Sequence, residues 1–236
     1  MKAILMAAGK GSRISKHIPE IPKCTLPVNG KPLIQKTVEM LIKNNIEVTI
    51  VVGYKYQHII DALKEYKVNI VYNPFYDVTN SIASLWLAKE YLVDDDIILA
   101  NADVFWSEEI LNRLCAEDKE VFLFGDRNRV KDGDYFFGTQ NGCVVKYGKE
   151  LSVEERDCEY VGIAKVGRKF MDSFKKRLNE MIETQQHGVW WENVLYSYSS
   201  CENIYVVDVE GEFWAEIDFI EDYNRILDFV KNIEEK

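Results

Sequence analysis

A short loop near the start of the chain holds residue types that could bind phosphate. Ala7-Ala8-Gly9-Lys10-Gly11-Ser12-Arg13 follows directly on an apolar run and leads to Pro22-Lys23. Glycines at the end of a strand let the backbone turn sharply and approach a ligand closely. Amides freed in such a turn form an electropositive nest for an anion, and an arginine adds a planar fork suited to phosphate. Two carboxylates stand apart from this loop. Asp103 follows the apolar stretch "IILA", which puts it at the carboxyl edge of a parallel sheet, where open α/β folds bind ligands. Asp218 opens the last helix, a position that suits an ordinary N-cap as well as a site.

Several other phosphate and catalytic devices are excluded. A dinucleotide fingerprint needs a third glycine where Ile14 stands, and no G-x-x-x-x-G-K-[ST] string occurs. His17, His58 and His187 are scattered and form no H-E-x-x-H pattern. A net charge of −10 argues against a nucleic-acid partner, because that affinity comes from basic patches on phosphates. The cysteines are odd in number, irregularly spaced and free of C-x-x-C pairs. They read as reduced thiols of a cytoplasmic protein. The opening apolar run is too short for a membrane span, and no other stretch could cross a bilayer.

The elements that must position these residues are legible as alternation. "KAILMAA" and "EVTIVVGY" are continuously apolar, as expected of parallel strands buried on both faces. "VNIVYN", "DIILANADV" and "EVFLFG" read as further strands. Between them, "KPLIQKTVEMLIKNN" places Leu33, Thr37 and Leu41 in one line with Ile34, Val38 and Ile42 beside it, which is helical spacing. "KYQHIIDALKEY", "SIASLWLAKEYL" and "SEEILNRLCAE" are also helical. The second half alternates less regularly, with strand-like "GCVVKYG", "YVGIAKVG" and "NIYVVDV" and a closing amphipathic helix over "DFIEDYNRILDFVKNI". Asp94-Asp95-Asp96 reads as a solvated turn, and 126–134 as a charged surface loop. The pattern predicts one α/β Rossmann-like domain over 1–236, with a mixed, mostly parallel sheet and helices on both faces. Residues 1–125 form its nucleotide half and 126–236 its acceptor half and C-terminal helix.

The A-A-G-x-G-x-R loop with its trailing P-K resembles the nucleotidyltransferase family that includes sugar-1-phosphate and phosphocholine cytidylyltransferases. "NPFYDVTNSIASLWLAKEYL", "LANADVFW" and "EFWAEIDFIEDYNRI" place the chain nearer the choline-phosphate branch. The resemblance implies that the loop wraps the triphosphate of CTP, with Arg13 and Lys23 as the catalytic cations. It implies that Asp103 and Asp218 jointly hold Mg²⁺. Asn101 is a departure, since relatives often carry an acid there, and it is not counted as a ligand. Ala8, Gly9, Gly11 and Ser12 are expected to hold the nucleotide. Thr79, Asn80 and Ser81 are candidates for reading the pyrimidine, although the same trio would serve as a plain helix cap.

A choline-type acceptor would want aromatic faces. Tyr135, Trp190 and Trp191 are the candidates, with Glu192 and Glu216 as nearby carboxylates. The expected reaction joins CTP to phosphocholine, or to a similar small phosphorylated or phosphonate acceptor such as 2-aminoethylphosphonate, and releases pyrophosphate. A sugar-1-phosphate enzyme is the near alternative and a non-catalytic nucleotide-binding module the distant one. The oligomeric state is left open.

Overall fold

The apolar run behind Met1 becomes the middle of a sheet. β1 (Lys2–Ala7) is buried along five of its six residues, as a strand covered on both faces must be. The computed structural model of the chain describes residues 1–11, 13, 14, 18 and 20–234. Ser12 and His17 lie outside the described residues. After one 3-10 turn at Lys23–Thr25 comes a small hairpin of β2 (Pro27–Val28) and β3 (Lys31–Pro32). The expected alternation then follows as α1 (Leu33–Lys43), β4 (Glu47–Val52), α2 (Gln57–Leu63), β5 (Asn69–Tyr72), α3 (Ser81–Leu87) and β6 (Ile97–Asn101). β5, β4, β1 and β6 lie side by side in that order and run parallel.

The second half begins with β7 (Val104–Trp106), α4 (Glu108–Ala116), β8 (Val121–Asp126), β9 (Phe136–Gln140), β10 (Cys143–Gly148) and β11 (Cys158–Val166). It closes with α5 (Met171–Glu183), α6 (Asn193–Tyr196), β12 (Tyr205–Asp208), β13 (Trp214–Glu216) and α7 (Ile220–Glu234). The main sheet has nine strands, ordered β5-β4-β1-β6-β11-β8-β12-β10-β9. β11 enters antiparallel against β6 and β8, and β10 antiparallel against β9 and β12, while β12 runs parallel to β8. The sheet is therefore mixed, parallel in the first half and largely antiparallel in the second.

Helices cover both faces. Ile34 and Leu41 of α1, Ile59 of α2 and Leu111 of α4 pack on one side. Leu85 of α3, Phe174 and Leu178 of α5 and Leu195 of α6 pack on the other. α1 buries Leu33, Ile34, Thr37, Val38 and Leu41, whereas Ile42, at the margin of that stripe, is left to solvent. No helix among the described residues is long and apolar enough to cross a membrane.

Two smaller features set the geometry of the site. β7 pairs antiparallel with β13, Val104 opposite Glu216, in a ribbon separate from the main sheet. A third apolar cluster joins Ile226 of α7 and Ile217 to Ile14, Leu26, Val28 and Leu33. It ties the last helix to the loop that follows β1.

Gly53, just past β4, packs against that loop. A Cβ there would lie 2.7 Å from the carbonyl oxygen of Ala8 and 2.9 Å from its Cβ, and the Tyr54 amide already donates to that carbonyl. Gly53→Ala is expected to cost about 1–3 kcal/mol through overpacking, read as a lower denaturant midpoint. An unchanged midpoint would show that β4 does not buttress the loop.

Candidate active site

The carboxyl ends of β1 and β6 open into a cavity of about 310 Å³. Its floor carries Ala8, Gly9 and Gly11, and Arg13 and Lys23 face into it. Gly11 adopts φ +62°, and a Cβ at this position would sit 2.5 Å from Lys23 Cγ. Glycine is thus needed twice over, for the left-handed backbone and to let the Lys23 stem pass. The buried Cys24 thiol lies behind Lys23, and burial pushes its pKa well up, with Asp103 adding to the shift. It is an inert packing group.

The charges converge on one point. Lys23 Nζ lies 2.6 Å from Asp103 Oδ2 and 2.9 Å from Asp218 Oδ1. Arg13 reaches Asp218 Oδ2 at 2.8 Å and Asp134 Oδ2 at 3.0 Å. Lys149 takes the same Asp134 oxygen at 2.5 Å. Burial acts to lower the Lys23 pKa, but Asp103 and Asp218 outweigh it and hold the ammonium above the ordinary lysine range. Glu216 stands alongside. Burial pushes its pKa well above the usual carboxylate range, and the negative Asp103 and Asp218 add to that.

The ribbon explains how two aspartates so far apart in sequence meet. β6 delivers Asp103 to the sheet edge, and the Val104–Glu216 pairing is extended by the Ile217 amide donating to the Asp103 carbonyl at 3.0 Å. Asp218 is the next residue. It is not spent on capping α7: its carboxylate accepts from Lys23 and Arg13. The amides of Asp218 and Phe219 turn to Asp222 instead.

Asp103 and Asp218 fit a hard divalent cation. Both turn an oxygen to the one Lys23 nitrogen, so the two carboxylates converge on a shared position. Among the described residues no group of three or more His, Cys, Asp or Glu is arranged to hold a metal. The donor set suits an ion such as Mg²⁺, which takes one or two carboxylates and completes its shell with phosphate oxygens and water.

Thr79, Asn80 and Ser81 also line the cavity, and Asn80 is the N-cap of α3. Asn80 accepts from the Ser81 amide at 2.8 Å, and its side-chain NH₂ donates to the Gly188 carbonyl at 3.3 Å. The Ser81 hydroxyl accepts from the Trp191 amide at 2.9 Å. Asn80 and Ser81 therefore lock the 187–191 loop onto α3, and Trp190 faces the cavity; Thr79 bonds back to the Phe75 carbonyl instead.

A second cavity, of about 80 Å³, opens beyond Asn101 and shares Arg13, Trp190, Glu216 and Asp218 with the first. Tyr135, Tyr160, Tyr196 and Glu192 line it. Glu192 is only 5% exposed, and burial raises its pKa to about 7. The structure thus brings together four of the five residues expected to hold an acceptor. Trp191 is the exception. It is fully buried and lines neither cavity, because its indole is packed in the core beneath the site. Its Nε1 donates to Asn101 Oδ1 at 2.9 Å, and Asn101 in turn donates to Glu216 at 3.2 Å. Asn101 is thereby a wired part of the site. Asp134, Lys149, Tyr160 and Tyr196 were not foreseen. Only Asp134 had a signal, as part of a charged loop, and nothing local told which residue that loop would meet.

A family model described as the MobA-like NTP transferase domain matches residues 3–206. The choline-phosphate cytidylyltransferase of Streptococcus pneumoniae is 29% identical, over 98% of this chain and 99% of that protein. The 2-aminoethylphosphonate cytidylyltransferase of Lancefieldella rimae is 26% identical, over 92% of this chain and 88% of that protein. Among solved structures, CTP:phosphocholine cytidylyltransferase from Streptococcus pneumoniae superposes with a TM-score of 0.80 at 23% identity, covering 97% of this chain and 98% of that one. With the phosphate-type loop, the paired aspartates and the fold already in place, the chain belongs to the MobA-like NTP transferase domain family and is a nucleotidyltransferase.

Proposed function

We propose that this enzyme is a Mg²⁺-dependent cytidylyltransferase. It joins CTP to a small acceptor that carries a phosphate or phosphonate at one end and a cationic group at the other, of the phosphocholine type, and releases pyrophosphate. The observation that carries this reading is the continuity of the two cavities. One is built of glycine backbone, Arg13, Lys23, Asp103 and Asp218, and the other of aromatic rings and a buried carboxylate. The first suits a nucleoside triphosphate and the second the cationic end of an acceptor. Two of the relatives are named for choline phosphate and 2-aminoethylphosphonate, acceptors that carry this pairing of charges.

The chemistry asks little of the protein in proton transfer. An acceptor phosphate with a second pKa of about 6 is largely dianionic at neutral pH, so its oxygen attacks the α-phosphorus without a general base. The chain supplies positioning and charge. Arg13 exchanges Asp218 and Asp134 for the β- and γ-phosphates. Lys23, already charged and held between two carboxylates, meets the α-phosphate and the departing pyrophosphate. The amides of Ala8, Gly9 and Gly11 close around the nucleotide, and Thr79, Asn80 and Ser81 border the base. When bound by Asp103 and Asp218, Mg²⁺ supplies charge neutralisation at the α-phosphate. Trp190, shared by both cavities, lies between nucleotide and acceptor.

Pyrophosphate release should require CTP over UTP, ATP and GTP, and one cationic phosphate or phosphonate acceptor over glucose 1-phosphate. Turnover confined to UTP with a sugar phosphate would move the enzyme to the sugar branch. Chelation with EDTA should abolish turnover and added Mg²⁺ restore it; full activity after chelation would remove the metal role. Asp103→Asn and Lys23→Met should each lower kcat by about 10²–10³, the loss typical of one electrostatic contact to a transition state. A melting curve on each variant checks that it is folded, and wild-type kcat in either folded variant would dismiss that residue.

A further inference from the structure

The acceptor cavity is unfinished in a specific way. Among the described residues, four buried side-chain nitrogen or oxygen atoms lack a hydrogen-bond partner. Two of them, Glu192 Oε2 and the Tyr160 hydroxyl, belong to residues that line this one small cavity. A buried polar atom left unsatisfied costs about 1–3 kcal/mol, and folded proteins pair nearly all of them. The Tyr160 hydroxyl has its hydrogen to turn toward the neighbouring Glu192 carboxylate, and the lone pairs left on both oxygens suit a ligand that brings hydrogen-bond donors.

The rings point the same way. Tyr196 is stacked on Tyr147, centroids 4.4 Å apart and planes at 22°, and lies parallel to Tyr135 at 6.0 Å. Tyr135 meets Trp190 edge to face at 5.6 Å, and Lys149 Nζ lies 5.9 Å from the Trp190 centroid. The aromatic groups thus pack largely on one another, whereas a quaternary ammonium needs open ring faces around it. The cations at the rim, Arg13 and Lys149, are both paired with Asp134, which leaves Glu192 and Glu216 as the lining acids without an ion pair among the described residues.

We propose that the acceptor cavity selects an ammonium that bears N–H groups over a quaternary ammonium, with the Glu192 carboxylate and the Tyr160 hydroxyl accepting those N–H groups. The inference rests on the cytidylyltransferase reading and sharpens it, from a cationic acceptor in general to a primary amine. A trimethylammonium group has no N–H to offer and would leave the remaining lone pairs of both oxygens without a donor. A primary ammonium completes both and brings a counter-charge to Glu192.

The test is steady-state kinetics of the wild-type enzyme with CTP and Mg²⁺ over a methylation series: phosphoethanolamine, its N-methyl and N,N-dimethyl derivatives, and phosphocholine, with 2-aminoethylphosphonate alongside. Expected is a fall in kcat/KM with each methyl, at least about a hundredfold in all, as for sites built to hydrogen-bond a substrate N–H. Glu192→Gln and Tyr160→Phe should each raise the KM for the primary amine about tenfold or more while leaving the KM for CTP within twofold. Phosphocholine turning over as well as or better than phosphoethanolamine would overturn the inference and leave the cytidylyltransferase reading standing. Variants that shift both KM values alike would also overturn it. Absence of CTP turnover with every member, alongside turnover of another nucleotide, would overturn both.

Discussion

The Lys23 ammonium, held between Asp103 and Asp218, is the interaction on which the site depends. Three charges this close and largely out of water stand only because they are paired: the lysine is 13% exposed and the aspartates 19% and 10%. Removing the cation would leave two carboxylates facing each other, with Glu216 beside them and already pushed toward neutrality. Removing either acid would leave a desolvated lysine with half its compensation. The bridge also draws together three distant parts of the chain: the loop after β1, the end of β6 and the entry to α7.

Much of the surrounding architecture serves that convergence. Gly11 lets the Lys23 stem pass under the loop. The ribbon of β7 and β13 brings Asp218 beside Asp103 through one extra backbone hydrogen bond. The apolar cluster of Ile14, Leu26, Ile217 and Ile226 presses α7 onto the loop that bears Arg13. Each is a packing or backbone constraint rather than a catalytic one, yet each fixes a distance on which phosphate chemistry would depend.

The two cavities differ in how their polar groups are satisfied. In the larger one Asp103 and Asp218 are each paired with a cation and Glu216 accepts from the Asn101 amide. In the smaller one a chain of bonds runs from Trp191 through Asn101 to Glu216, while Glu192 and Tyr160 keep unpartnered oxygens. A core tryptophan thus reaches the site through the Asn101 amide.

The sequence by itself determined the local elements and the chemistry of the loop. Periodicity fixes β1, β4, β6 and the helices between them, because burial on both faces of a parallel sheet leaves a continuous apolar run. The A-A-G-x-G-x-R loop with its P-K announces a phosphate cradle, because glycine backbone and an arginine fork are needed close together in the chain. Tertiary structure alone decided the pairings between distant segments. Asp218 could be a helix cap or a ligand until the β7–β13 ribbon put it against Lys23. Trp190 and Trp191 are equivalent in sequence, yet one faces the cavities and the other lies in the core, because the lock of Asn80 and Ser81 on the 187–191 loop sets which ring turns inward. Asp134, Lys149, Tyr160 and Tyr196 carry no local signature, since an ion pair or a stacked ring is defined by a partner remote along the chain, and only the fold brings that partner near.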